Sequence, residues 1–280
     1  MNDILRIPSP TWFVGCGNMG GAIIDGWRVA GLDLSPVIAI DPSDRPIEGV
    51  RTVTSLTEAG RAPQLALLGF KPQKLDEVAA ELAPRLSANT ILVSILVGVE
   101  IASLRERFPG VRAIIRAMPN LPVAIRRGVT GLYGEGNQRN QQVGDLFAAL
   151  GWTMWMADEA KLAAIGSVAG AGPAYVARFI AALAKAGEKR GLSAETAATV
   201  ALETVLGTAW MAATRGEDME TVAMRVASPK GTTAAGLAVL DHDRVLDELI
   251  ALTIEAAARR GEELAEEARS ASLAEDASLS

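Results

Sequence analysis

Thr11-Trp12-Phe13-Val14-Gly15-Cys16-Gly17-Asn18-Met19-Gly20-Gly21-Ala22-Ile23-Ile24 is the stretch that decides the fold. A short run of β-prone residues leads straight into a Gly-x-Gly-x-x-Gly loop, after which Ala22, Ile23, Ile24 and Trp27 recur at helical spacing. Three spaced glycines alone are a weak signal and also serve bare β-to-α turns. With a strand before them and a helix after them, they match the turn that wraps a dinucleotide diphosphate. In that reading Gly15 permits the tight turn, Gly17 lets the backbone approach the diphosphate, and Gly20 lets the helix pack on the strand. Asn18 and Met19 then sit at the helix N-terminus, whose amides are donors for the phosphates.

Outward from this loop, short apolar or β-branched runs alternate with helical patterns as far as Met156. Strands are expected at Thr11–Val14, Val37–Ile40, Arg51–Thr54, Leu65–Leu68, Thr90–Ile95, Val111–Arg116, Val129–Leu132 and Thr153–Met156. Helices are expected at Met19–Ala30, Lys74–Leu86, Ile101–Phe108 and Gln138–Leu150. This βαβ series predicts an α/β, Rossmann-type, doubly wound sheet over residues 1–157. Beyond it the β signal stops and Ala-rich helical periodicity takes over, so residues 158–268 read as an all-α domain. Ser193 fits an N-cap there and Gly216 a helix end. The small, polar segment 269–280 is expected to be a disordered tail.

The chain has 280 residues, enough for two cores; its aromatic fraction is only 4%, so packing rests on Ala, Leu, Val and Ile. The net charge of −6, with Lys and Arg scattered, argues against nucleic acid as a partner. Met1 to Arg6 lacks the basic and apolar regions of a signal peptide, which points to the cytoplasm. The longest uncharged stretch, between Lys161 and Arg178, is broken by Gly166, Gly170, Gly172 and Pro173, and no membrane segment is expected. With one cysteine, Cys16, and one histidine, His242, there is no internal disulfide, no Cys/His metal site and no Cys-His nucleophile pair. The chemistry must come from a cofactor.

Asp41 ends the second strand, where an acid accepts an adenosine ribose hydroxyl and disfavours a 2′-phosphate. Ser43 and Arg45 stand close enough in sequence to contact such a phosphate, so the choice between NADPH and NADH stays open. Ligands bind beyond the carboxyl ends of such strands. Three exits therefore carry weight: Gly69-Phe70-Lys71-Pro72-Gln73, Ser94-Ile95-Leu96-Val97-Gly98 and Arg116-Ala117-Met118-Pro119-Asn120. Lys71 fits a cofactor contact or a surface lysine equally, and Asn120 a site or a turn. In the helical half, Ser228-Pro229-Lys230-Gly231-Thr232-Thr233 places hydroxyls and free amides at a helix start. That suits a carboxylate or phosphate, or a plain cap.

Together these motifs resemble the pyrroline-5-carboxylate reductases of proline biosynthesis, from Phe13 to about Leu264. The resemblance rests on Gly15-x-Gly17-Asn18-Met19-Gly20, Lys71-Pro72, Arg116-x-Met118-Pro119-Asn120, Gly170-x-Gly172-Pro173-Ala174-Tyr175 and Ser228-Pro229-x-Gly231-Thr232-Thr233. It implies reduction of 1-pyrroline-5-carboxylate to L-proline by NADPH or NADH, the last step of proline biosynthesis. It also implies a helical domain that forms a homodimer or an oligomer of dimers, bringing the substrate loop of one subunit near the nucleotide domain of the other. By matching position, Ser228, Lys230, Gly231, Thr232 and Thr233 bind the substrate, with the Thr233 hydroxyl as the catalytic group near the ring nitrogen. Phe70, Lys71, Pro72, Ile95, Leu96 and Val97 contact the nicotinamide end of the cofactor. Leu96 and Val97 stand where the family has small residues, and Lys230 stands where its loops often have glycine. A β-hydroxyacid dehydrogenase or a nucleotide-sensing regulator shares the first half of this pattern but not the loop at Ser228.

Overall fold

In the computed structural model, which describes residues 5–43, 45–137 and 139–276, the apolar runs form one eight-stranded sheet. Its strands are β1 (Thr11–Val14), β2 (Val37–Ile40), β3 (Arg51–Val53), β4 (Leu65–Leu68), β5 (Ile91–Ser94), β6 (Ala113–Pro119), β7 (Gly128–Gly134) and β8 (Gly151–Trp155). Their order is β3-β2-β1-β4-β5-β6-β7-β8. Because β1 pairs in parallel with both β2 and β4, the winding reverses there and opens a crevice beyond the end of β1. β1, β4 and β5 are buried along their whole length, as strands covered on both faces must be.

Helices α1 (Asn18–Val29), α2 (Leu75–Leu82), α3 (Ile101–Arg107) and α4 (Gln141–Ala148) supply the covers. Ile23, Ile24 and Trp27 of α1 join Phe147 of α4 on one face, while Leu75, Leu82, Leu104 and Phe108 fill the other. One departure from a fully parallel series is β6 against β7, which are antiparallel. Residues 120–127 between them fall short of the dozen or so that a parallel crossover needs, so about one short turn reverses the chain.

The described residues divide into two compact units. One runs up to Ala171 and resumes at Ala257; the other is Gly172–Ala256. The boundary expected at 157/158 therefore falls later, because α5 (Glu159–Ile165) packs on the sheet. Leu162 of α5 is fully buried, and its Cδ1 lies 2.9 Å from where a Cβ on Gly131 would stand. Glu159 meets the buried Arg116 at 2.7 Å. A π-helical turn, Gly166–Gly170, follows α5.

The second unit holds α6 (Gly172–Lys189), α7 (Ala194–Arg215), α8 (Met219–Val226), α9 (Thr232–Leu240) and the first part of α10 (Val245–Asp276). Ser193 caps α7 by accepting the Thr196 amide, and Gly216 ends that helix at φ 66°. The tail expected from residue 269 is helical through Asp276, and 277–280 lie outside the described residues. Strong helix formers and the Arg260 guanidinium, which meets Glu263 at 2.7 Å and Glu267 at 3.0 Å, carry the helix onward. Little of this unit's apolar surface is covered: Phe179, Leu202, Leu206, Trp210, Leu249 and Leu252 are each more than half exposed. The helical run Glu159–Lys189 is also long and apolar enough to cross a membrane by length and composition, with 6% of its most apolar window buried.

Candidate functional site

Close contacts at two glycines shape the loop. Gly15 has φ +83°, and a Cβ there would stand 2.6 Å from the Phe70 amide nitrogen, so β1 and β4 leave the sheet in close contact. Gly20 packs against Phe13, whose Cε1 is 3.0 Å from the Cβ position. Gly17 faces open space, with nothing within 4 Å of its Cβ position, and it starts α1 without a side-chain cap. The first amides of α1 are therefore left as donors beside an open cradle.

That cradle opens into a cavity of about 740 Å³. Gly15, Gly17 and Met19 line it from β1, Asp41 and Ser43 from β2, Phe70, Lys71 and Pro72 from β4, and Ile95, Leu96 and Val97 from β5. Four separate sequence segments thus converge at the switch point. Thr54, Ser55 and Leu56 after β3, and Lys74, Glu77, Val78 and Glu81 of the α2 region, none of them marked as a site by any sequence motif, complete the wall. Leu96 is buried in the apolar cluster that includes Leu68 and Ile101, so its bulk goes into the core, whereas Val97 is exposed.

Some expected contacts lie elsewhere. Gly20 serves packing. Asn18 and Arg45 are exposed residues that do not line the cavity. Asn120 is buried and off the cavity, with its Nδ2 donating to the Ala169 carbonyl at 3.0 Å and its Oδ1 accepting the Val129 amide at 2.8 Å.

Asp41 is tied to the loop. One carboxylate oxygen accepts the Cys16 amide at 2.7 Å, and the other accepts the Ser43 amide at 2.9 Å and the Ser43 hydroxyl at 2.7 Å. Partial burial works against its charge, but the bonds from Ser43 and Cys16 outweigh it and hold the carboxyl below the ordinary range. Burial, with Asp41 nearby, pushes the Cys16 thiol up to about 12, so it is a packed neutral group. The cavity fits a dinucleotide: free helix amides beside an uncrowded glycine are donors suited to a diphosphate, and a fixed carboxylate is an acceptor suited to a ribose hydroxyl.

The second unit carries its own feature. Gly231 donates its amide to the Ser228 carbonyl at 2.9 Å and starts α9, with no side-chain cap, ahead of Thr232 and Thr233. Gly231 is constrained, since a Cβ there would collide with the Ser228 hydroxyl. Lys230 adopts φ +61°, a backbone shape natural to glycine.

The model of pyrroline-5-carboxylate reductase dimerisation matches residues 159–264, and that of NADP oxidoreductase, coenzyme F420-dependent, matches residues 12–98. A pyrroline-5-carboxylate reductase of Pseudomonas aeruginosa is 36% identical over 91% of this chain and 96% of its own length. The chain belongs to the pyrroline-5-carboxylate reductase family. A plant pyrroline-5-carboxylate reductase, from Pisum sativum, is 33% identical over 94% of this chain and 99% of its own. Among solved structures, the Coxiella burnetii reductase superposes with a TM-score of 0.81 at 30% identity, covering 92% of this chain and 99% of that one. The Plasmodium falciparum reductase, solved with NADP bound, gives 0.82 at 25%, covering 93% and 99%. The whole membrane-length run Glu159–Lys189 and the exposed apolar residues of α6 and α7 fall within the segment that matches the reductase dimerisation model, and an apolar helix face is what a subunit interface covers.

Proposed function

We propose that this chain reduces 1-pyrroline-5-carboxylate to L-proline, the last step of proline biosynthesis, with NADH or NADPH as the reductant. The carrying observation is the open glycine cradle at the switch point of a chain that matches reductases of this name along nearly all of its length.

Bound at the cavity, the nicotinamide supplies a hydride to the imine carbon. The chain's residues do the rest. The hydroxyls of Ser228 to Thr233 and the amides of Thr232 and Thr233 at the start of α9 hold the substrate carboxylate, and the Thr233 hydroxyl orients the ring nitrogen. The imine arrives protonated from water, so no strong protein acid is needed and the highly exposed His242 has no part. Lys230 adds positive charge beside the carboxylate position.

The exposed apolar face of the helical unit is covered, in this proposal, by a second copy, giving a dimer or an assembly of dimers in which the loop of one copy serves the cavity of its partner. The single cysteine, with no disulfide framework to maintain, supports a cytoplasmic setting. Thr233→Ala is expected to lower kcat/KM for the imine by about tenfold or more, since it removes a hydrogen bond to the reacting ring. Unchanged efficiency would remove Thr233 from the mechanism.

A further inference from the structure

At the exit of β2 the cavity wall carries the carboxylate of Asp41. Asp41 uses three of the roughly four acceptor positions of a carboxylate on the Cys16 amide and on the Ser43 amide and hydroxyl. Those bonds fix both of its oxygens, so the group cannot swing aside, and one acceptor position remains. Glu77 and Glu81 line the same cavity from α2. The cavity's own cations are Lys71, at the β4 exit, and Lys74, whose ammonium stands 4.0 Å from Glu77, while Arg51 donates to the Glu58 carbonyl at 2.8 Å. Arg45 does not line the cavity.

We infer that this cavity selects NADH over NADPH, with Asp41 as the residue that determines the choice. The inference rests on the proposed reductase reading and sharpens it. The fixed carboxylate accepts a hydroxyl of the adenosine ribose. A 2′-phosphate in the same place brings a charge of roughly −1.5 to −2 against a carboxylate held in place by its bonds, and among the described residues no arginine lines the cavity. The hydrogen bonds that tie Asp41 to Cys16 and Ser43 also keep it ionised at neutral pH.

Calorimetric titration of the full chain with NADH and NADPH, and with ADP-ribose and 2′-phospho-ADP-ribose, tests this without turnover. NADH is expected to bind at least about tenfold more tightly than NADPH at low ionic strength, with the same order for the fragments, and added salt is expected to narrow the gap. Asp41→Asn keeps an acceptor for the loop and is expected to close most of the gap by strengthening NADPH. Equal or tighter NADPH binding would overturn the inference and point to Lys74 or Arg45 as a phosphate partner. A gap that ignores salt in the unaltered protein, or that persists in a folded Asp41→Asn, would overturn it as well. Binding of neither nucleotide would sink the reductase reading with it, whereas equal affinities with intact imine reduction would sink the preference alone.

Discussion

Asn120 reaches a backbone partner 49 residues further along the chain: its Nδ2 donates to the Ala169 carbonyl at 3.0 Å while its Oδ1 accepts the Val129 amide at 2.8 Å. The side chain ties the end of β6 to the start of β7 and to the π-helical turn that precedes α6. It acts as a strut between backbone segments. Asn120→Ala would leave both backbone partners short of a bond inside the protein and is expected to cost about 2 kcal/mol or more. Urea denaturation would register the loss, while NADH affinity should stay within about twofold. A large loss of affinity with unchanged stability would return Asn120 to the cofactor site.

Arg116 and Glu159 form a second tie. The Arg116 side chain is 6% exposed, and one Glu159 oxygen takes both its guanidinium at 2.7 Å and the Ile101 amide at 3.1 Å. Glu159→Gln keeps an acceptor but strands a buried cation, at an expected cost of about 3 kcal/mol. Adding Arg116→Met should recover much of that loss, a coupling that a double-mutant cycle by thermal denaturation would measure. Additive losses would show that the pair does not act as one.

The Cys16 thiol gives a pH dependence. Its pKa rises from 9.0 to about 12 on folding, through burial and the adjacent Asp41 carboxylate. The folded state therefore holds the proton more tightly than the unfolded state. The resulting stability is fully present below pH 9 and is lost as pH rises from there toward 12. Above pH 9 the unaltered protein should lose stability more steeply than Cys16→Ala, by up to about 1.4 kcal/mol per pH unit. The native thiol should also resist a disulfide reagent at pH 8. Rapid modification there would contradict the burial.

Lys230 holds a left-handed backbone at φ +61°. Lys230→Gly is expected to stabilise the chain by about 0.5–1 kcal/mol, because glycine adopts that shape without steric cost. It should also raise KM for the imine carboxylate at low salt, since a favourable charge is lost. A fall in stability would show that the lysine side chain makes contacts worth more than the strain.

Much of the fold was legible because buried parallel strands are short apolar runs bounded by turn residues. β1, β2 and β4 have the very limits that Thr11–Val14, Val37–Ile40 and Leu65–Leu68 suggest. Helical periodicity does not say which body a helix packs on; that α5 lies on the sheet shows only in the partners of Leu162 and Glu159. The cavity was legible at the strand exits that carry glycines or prolines. Thr54, Ser55, Glu77 and Glu81 carry no such mark and reach the wall through the sheet order alone. Asn120 misled for the opposite reason, since a polar residue between prolines looks like a ligand group until its bonds are counted.

Whether this chain is a working imine reductase is read most directly from steady-state oxidation of NADH and NADPH by the protein with 1-pyrroline-5-carboxylate, following both nicotinamide absorbance and L-proline. Substrate-dependent oxidation with at least one nucleotide, matched mole for mole by L-proline, is the expected result. Nucleotide binding without substrate-dependent oxidation would contradict it.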